Sequence, residues 1–168
     1  ERVRAGQRRV LEAMVGYCHT TGCLRRYILK YFGDEGDVPS PTGCGNCSNC
    51  LGEFDSVDVT VTAQRCVQCV REVNGSFGKT MIADIVRGSK AARLLELGLD
   101  HLDSYATVQD SNSQVKEVIE LLAAEGLLQV SDGTYPVVGL GPRCAEADAE
   151  GFTFTMKRMK TKKPEPRA

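Results

Sequence analysis

Residues 43 to 50 read GCGNCSNC, three cysteines at two-residue spacing in a loop of Gly, Asn and Ser. A C-x2-C-x2-C run lets tight turns bring successive thiolates to one metal ion, and Gly45 and Asn46 allow the backbone to fold round the sulfurs. Three thiolates leave a tetrahedral site one ligand short. Cys23 suits the fourth place because it opens a helix directly after Gly22, where the positive helix end favours thiolate. The segment from Leu24 to Pro41 reads as a helix and then a loop that can double back. Cys23, Cys44, Cys47 and Cys50 would form a closed four-cysteine site of the kind that holds structural Zn2+, with no position open to water or substrate. Cys18 and His19 stand nearby as alternative ligands. A ferredoxin-type cluster would want its next cysteine at position 54, where Phe54 stands, which disfavours that reading, and disulfides are the remaining alternative.

The chain has eight cysteines in 168 residues. With no export signal, their uneven distribution favours metal binding by some of them over a disulfide framework. Cys66 and Cys69 form a C-x-x-C on a helix whose Cys66 face is apolar, so they read as small core residues. Cys144 stands alone and reads as structural or surface. His101, after an apolar helix, reads as a capping or packing residue. No apolar run approaches the roughly 18 residues that cross a bilayer. The expected location is therefore cytoplasmic, and nucleoid-associated in a bacterium. The opening ERVRAGQRRV, without an initiator Met, reads as part of a longer protein.

A net charge of −1 hides an asymmetry: Glu1 to Phe32 carries seven Lys/Arg against two acids, Gly33 to Thr62 six acids and no base, and Gly151 onward six bases against one acid. Basic ends around an acidic loop are compatible with a polyanionic partner, and equally with solvated helix faces and a flexible tail.

Periodicity predicts a helix from Arg8 to about Gly16 and a second carrying Leu24, Tyr27, Ile28, Tyr31 and Phe32, closed by Gly33. After the cysteine loop come a short strand at Val57 to Val61, a helix from Thr62, whose side chain would cap it, to Val73, and helices at Thr80 to Val86, Ala91 to Leu97 and Ser113 to Glu125. LLQV and YPVVGL, joined through SDGT, read as a hairpin. The expected fold is mainly α with a small β-hairpin: a helical-hairpin four-cysteine zinc subdomain (1–55), a linker (56–62), a winged-helix domain (63–155) and a flexible basic tail (156–168).

Gly78 to Thr80 reads GKT, but a phosphate-binding loop needs Gly where Val73 stands and a strand leading in. No catalytic residues can be assigned, and the chain by itself is expected to be catalytically inactive.

CLRRYILKYFGDE followed by CGNCSNC resembles the zinc-binding subdomain of the RecQ family of DNA helicases, and VNGSFGKTMIADIVRGSKAARLLELGLD resembles that family's winged-helix (RQC) domain. Leu24 departs from the family's usual Arg, and the loop before Cys44 is long and acidic. The resemblance implies the carboxyl-terminal part of a 3′–5′ ATP-dependent helicase acting in DNA repair, recombination and replication. It implies double-stranded and forked DNA and the helicase lobes of the same chain as partners, with ATP and Mg2+ bound only in the full-length enzyme. Zinc would brace motor against winged helix. In RGSKAAR, Arg87, Ser89, Lys90 and Arg93 straddle a turn and can converge on one phosphate, and Arg87, Ser89 and Arg93 match the family's phosphate-contacting positions. Tyr135, near the hairpin tip, offers a ring that could part strands, against a strand-packing role. A sequence-reading transcription regulator is disfavoured because Ala and Leu dominate after Arg93. A protein-interaction scaffold is the other alternative.

Overall fold

In the computed structural model, which describes residues 2–34, 43–52 and 54–159, Gly16 does not end the first helix. Helix α1 runs Arg2–His19 and α2 runs Leu24–Tyr31. Gly16 is used for close approach instead: a Cβ there would lie 2.3 Å from the Tyr27 hydroxyl oxygen. That hydroxyl donates to the Ala13 carbonyl at 3.1 Å, and the Tyr27 ring meets Tyr17 edge-on at 6.0 Å. A glycine that costs helix propensity thus lets two helices touch. Gly33 does end α2. At φ +76° it donates to Lys30 O, and Asp34 N–H donates to Leu29 O, the paired bonds of a Schellman cap.

The chain divides into two units, Glu1–Val57 with Thr155–Ala168, and Asp58–Phe154. The first contains α1, α2 and a two-stranded sheet of β1 (Phe54–Asp58) paired with β4 (Thr155–Met159). Strand β4 corrects the expected flexible tail over 156–159. Phe152, Phe154 and Met156 alternate with exposed Thr153 and Thr155, a period-two signal that the run of lysines and arginines masks. The rest of that tail lies outside the described residues.

The second unit begins earlier than expected because α3 spans Thr60–Glu72. The strand read over Val57 to Val61 therefore ends at Asp58, and Thr62 does not cap the helix. The Asp58 carboxylate accepts the Thr60 N–H at 2.8 Å, while buried Thr62 donates its hydroxyl to the Asp110 carboxylate. Helices α4 (Lys79–Val86), α5 (Ala92–Glu96) and α6 (Asn112–Ala124) follow, the last capped by Ser111 accepting Gln114 N–H at 3.2 Å. Short 3-10 turns at Leu99–His101 and Cys144–Asp148 escape the periodicity reading.

Val67 and Val70 from α3, Ile82 and Ile85 from α4, and Val118, Ile119 and Leu122 from α6 are buried together with Leu128 and Val138 of the wing. The wing pairs β2 (Leu128–Val130) antiparallel to β3 (Val138–Leu140), with Leu128 opposite Leu140 and Val130 opposite Val138. Three core helices closed by this hairpin give the expected winged-helix arrangement. The second strand starts at Val138, so Tyr135 lies in the loop and not in the strand.

Candidate metal centre and nucleic-acid interface

Cys23 sits at the N-cap of α2, and the cysteine loop returns to it. The Sγ atoms of Cys23, Cys44, Cys47 and Cys50 all lie within 4.8 Å of one another, with Cys44 and Cys50 4.0 Å apart. Tetrahedral zinc with Zn–S near 2.3 Å would set each sulfur pair about 3.8 Å apart, so the cluster fits one such ion with small adjustments. Cys47 N–H donates to Cys44 Sγ at 3.3 Å and Cys50 N–H to Cys47 Sγ at 3.5 Å, bonds that support charge on sulfur. Gly43 has φ +122°, and a Cβ there would fall 2.5 Å from Cys50 Sγ, so glycine is required just before Cys44.

The thiols are poised unequally. The Cys50 backbone N–H lowers Cys47 to about 6, and the nearby Arg26 backbone N–H at the start of α2 lowers Cys23. For Cys50 the Gly45 backbone acts in the same sense, but the Cys47 sulfur, burial and the Cys23 sulfur overcome it and push the thiol up to about 11. Four sulfurs this close resist full ionisation without a cation between them, and an all-thiolate set is the donor chemistry that zinc accepts. Cys18 and His19 lie outside the cluster, Cys18 exposed.

Sequence reasoning missed Asn49. Its buried amide donates to Thr20 O and Gly22 O, both at 2.7 Å, and its Oδ1 accepts from Lys157 Nζ. One side chain thereby ties the α1–α2 turn, which leads into Cys23, to the cysteine loop and to β4. Lys157 also lies 5.1 Å from the centre of the Phe54 ring. The available signal was an Asn inside a metal loop, but its partners are distant in sequence.

In the second unit, Arg87 ends α4, Gly88 turns the chain at φ +73°, and Ser89 and Lys90 lead into α5, where Arg93 stands. Arg87, Lys90 and Arg93 are exposed and Ser89 is half-buried. Arg87 Nε donates to Asp110 O at 2.8 Å, whereas among the described residues Lys90 and Arg93 have no ion pair. The structure thus brings three cations and a hydroxyl to one turn. Tyr135 stands on the hairpin loop, closed by Ser131 N–H to Val137 O at 2.9 Å, and is 89% exposed, which removes a strand-packing role.

Residues 1–51 match the RecQ zinc-binding family model and residues 53–165 the RQC domain model. The chain belongs to the RecQ family. It is 39% identical over 129 residues to the ATP-dependent DNA helicase RecQ of Bacillus subtilis, covering 76% of this chain and 21% of that protein. The ATP-dependent DNA helicase RecQ of Haemophilus influenzae is 28% identical over 120 residues, covering 71% and 19%. The chain therefore spans about a fifth of the length of these relatives. All four clustered cysteines fall in the RecQ zinc-binding region, and the Arg87 to Arg93 turn and Tyr135 in the RQC domain.

The remaining candidates take ordinary places in this RecQ chain. Cys66 and Cys69 are fully buried core residues, and burial pushes both thiols up, Cys69 to about 11. Cys144 is half-buried at the start of a 3-10 turn. His101 neither packs nor caps a core element, since its side chain is 86% exposed. Among the described residues no strand leads into Gly78, the preceding element being α3, and Lys79 pairs with Glu120 instead of facing a phosphate loop.

Proposed function

We propose that this chain is the DNA-binding carboxyl-terminal region of a RecQ-type 3′–5′ DNA helicase, with one structural zinc held by Cys23, Cys44, Cys47 and Cys50. Bound zinc would supply a crosslink between the α1–α2 turn and the cysteine loop and offset half of the four thiolates' charge. No step of unwinding chemistry passes through it. ATP and Mg2+ act in the helicase lobes of the full-length enzyme, and this chain alone is catalytically inactive. Val10, Leu11 and Met14 on α1 and Ile28, Tyr31 and Phe32 on α2 are large exposed apolar side chains, a surface suited to packing against those lobes.

Arg87, Ser89, Lys90 and Arg93 grip the backbone of duplex DNA at a fork, and Tyr135 stacks on the terminal base pair as strands part. The observation that carries this reading is the turn at Gly88, where exposed Lys90 and Arg93 lack protein partners among the described residues beside Arg87. Phosphate contacts position a duplex without reading its sequence, so the enzyme would act on many sequences, as repair, recombination and replication require.

A titration of blunt and forked duplexes of unrelated sequence over a range of salt tests it. Three cations give a slope of log K against log[salt] of about −3, with little dependence on sequence. Absence of binding at low salt overturns the reading in favour of a protein scaffold, and strong sequence preference favours a transcription regulator.

A further inference from the structure

The turn at Gly88 is held by a strap, Ser104 to Asp110, whose two ends are fixed to the same helix. At one end Ser104 donates its N–H and hydroxyl to Glu72 of α3 at 3.2 and 2.6 Å. At the other the Asp110 carboxylate accepts from Thr62 of α3, and Asn112 donates to Asp84 of α4 at 3.0 Å. Between these anchors, Ala106 N–H donates at 3.1 Å to Ile85 O, which also accepts the Gly88 N–H, and Val108 N–H donates at 2.9 Å to Val86 O, a carbonyl that the end of α4 would leave open. Gly88 lies so close that a Cβ on it would sit 2.6 Å from Ala106 Cβ.

One side chain of the strap reaches into the turn itself. Tyr105 donates its hydroxyl to the Ser89 carbonyl at 3.2 Å. Because a trans peptide points its C=O and N–H in opposite directions, drawing Ser89 O towards Tyr105 turns the Lys90 N–H away from the strap. Among the described residues that N–H has no hydrogen-bond partner. The Ser89 hydroxyl oxygen accepts the Ala91 N–H at 3.4 Å, which leaves its own hydrogen available to donate.

We propose that Tyr105 is a positioning residue for duplex binding, its hydroxyl orienting the Ser89–Lys90 peptide so that the Lys90 N–H joins the Ser89 hydroxyl, Arg87 and Arg93 on one phosphate. The inference rests on the duplex-binding reading above. Tyr105 itself touches no DNA.

The test uses the 168-residue chain with a fluorophore-labelled duplex of arbitrary sequence. Tyr105→Phe keeps the ring, and is expected to weaken binding about five-fold with the salt slope unchanged, since no cation is lost. Arg93→Ala is expected to reduce the magnitude of that slope by about 1. In amide NMR spectra, saturating duplex shifts the Lys90 proton downfield in the wild type, and Tyr105→Phe abolishes that shift. A purely structural tyrosine would lower the melting temperature and leave both the affinity measured well below it and the Lys90 shift as in the wild type, which overturns the inference. An unmoved Lys90 amide in the wild type overturns it without any variant. An unchanged slope for Arg93→Ala instead removes the duplex-binding reading beneath it.

Discussion

Truncating Asn49 to Ala strands the Thr20 and Gly22 carbonyls, both of which its amide satisfies at 2.7 Å, and releases Lys157. The acceptor on half-buried Thr20 is left short, while water can reach that of exposed Gly22, so the loss costs about 2 kcal/mol. Because Gly22 leads directly into Cys23, the loss also loosens one metal ligand. Asn49→Ala is therefore expected to keep one zinc per chain but to surrender it to a chromophoric chelator about ten-fold more readily, as for other groups that orient ligands. Cys47→Ser, which removes a ligand, is expected to lose the ion altogether. An Asn49→Ala protein with wild-type melting and metal retention would remove the role assigned to Asn49. The contrast shows what a sequence reveals at this scale. Cysteine spacing is local chemistry and names its own ligands, whereas Asn49 acquires its role from Thr20 and Gly22, 29 and 27 positions away, and from Lys157, 108 positions away.

Helix α3 makes the same point for an element. The apolar face from Ala63 to Val73 is legible, but its start is not, because Thr and Asp can both cap and only the fold decides between them. Neither takes it: Val59 stands at the N-cap, Asp58 before it accepts the Thr60 N–H, and Thr62 turns inward to Asp110. The Thr60 hydroxyl, and then its backbone N–H, hold the Asp58 carboxyl below its usual range. A carboxyl with a lowered folded-state pKa contributes stability above the ordinary carboxylate range and loses it as pH falls through the lowered value. Melting of the Asp58–Phe154 unit is thus expected to fall more steeply on acidification in the wild type than in Asp58→Asn, which keeps an acceptor but does not titrate there. Parallel pH profiles would contradict a stabilising role for the Asp58–Thr60 bonds. Strand β4 was hidden for a different reason: the alternation of Phe152, Phe154 and Met156 is visible only when the basic residues that follow are set aside.

Across the whole molecule the two units are held by different means, and this difference was largely legible. The second has a continuous apolar core of α3, α4, α6 and the wing, which the helical and alternating patterns announce. The first does not: α2 contributes no buried residue, and among the described residues of that unit only Gly43, Asn49 and Met156 are buried. So small a core cannot offset the chain entropy of ordering two helices, and metal binding must supply what burial does not. Chelation at neutral pH is therefore expected to melt α1 and α2 selectively, lowering the far-ultraviolet helical signal and removing amide-exchange protection from residues such as Tyr27 and Cys47. Protection of Val67, Ile82 and Ile119 should remain, since their neighbours lie in the second unit's own core. Restored zinc should return the lost signal. Loss of protection in both units together would mean that the ion stabilises one cooperative domain, whereas retention in both would mean that the four sulfurs do not need it.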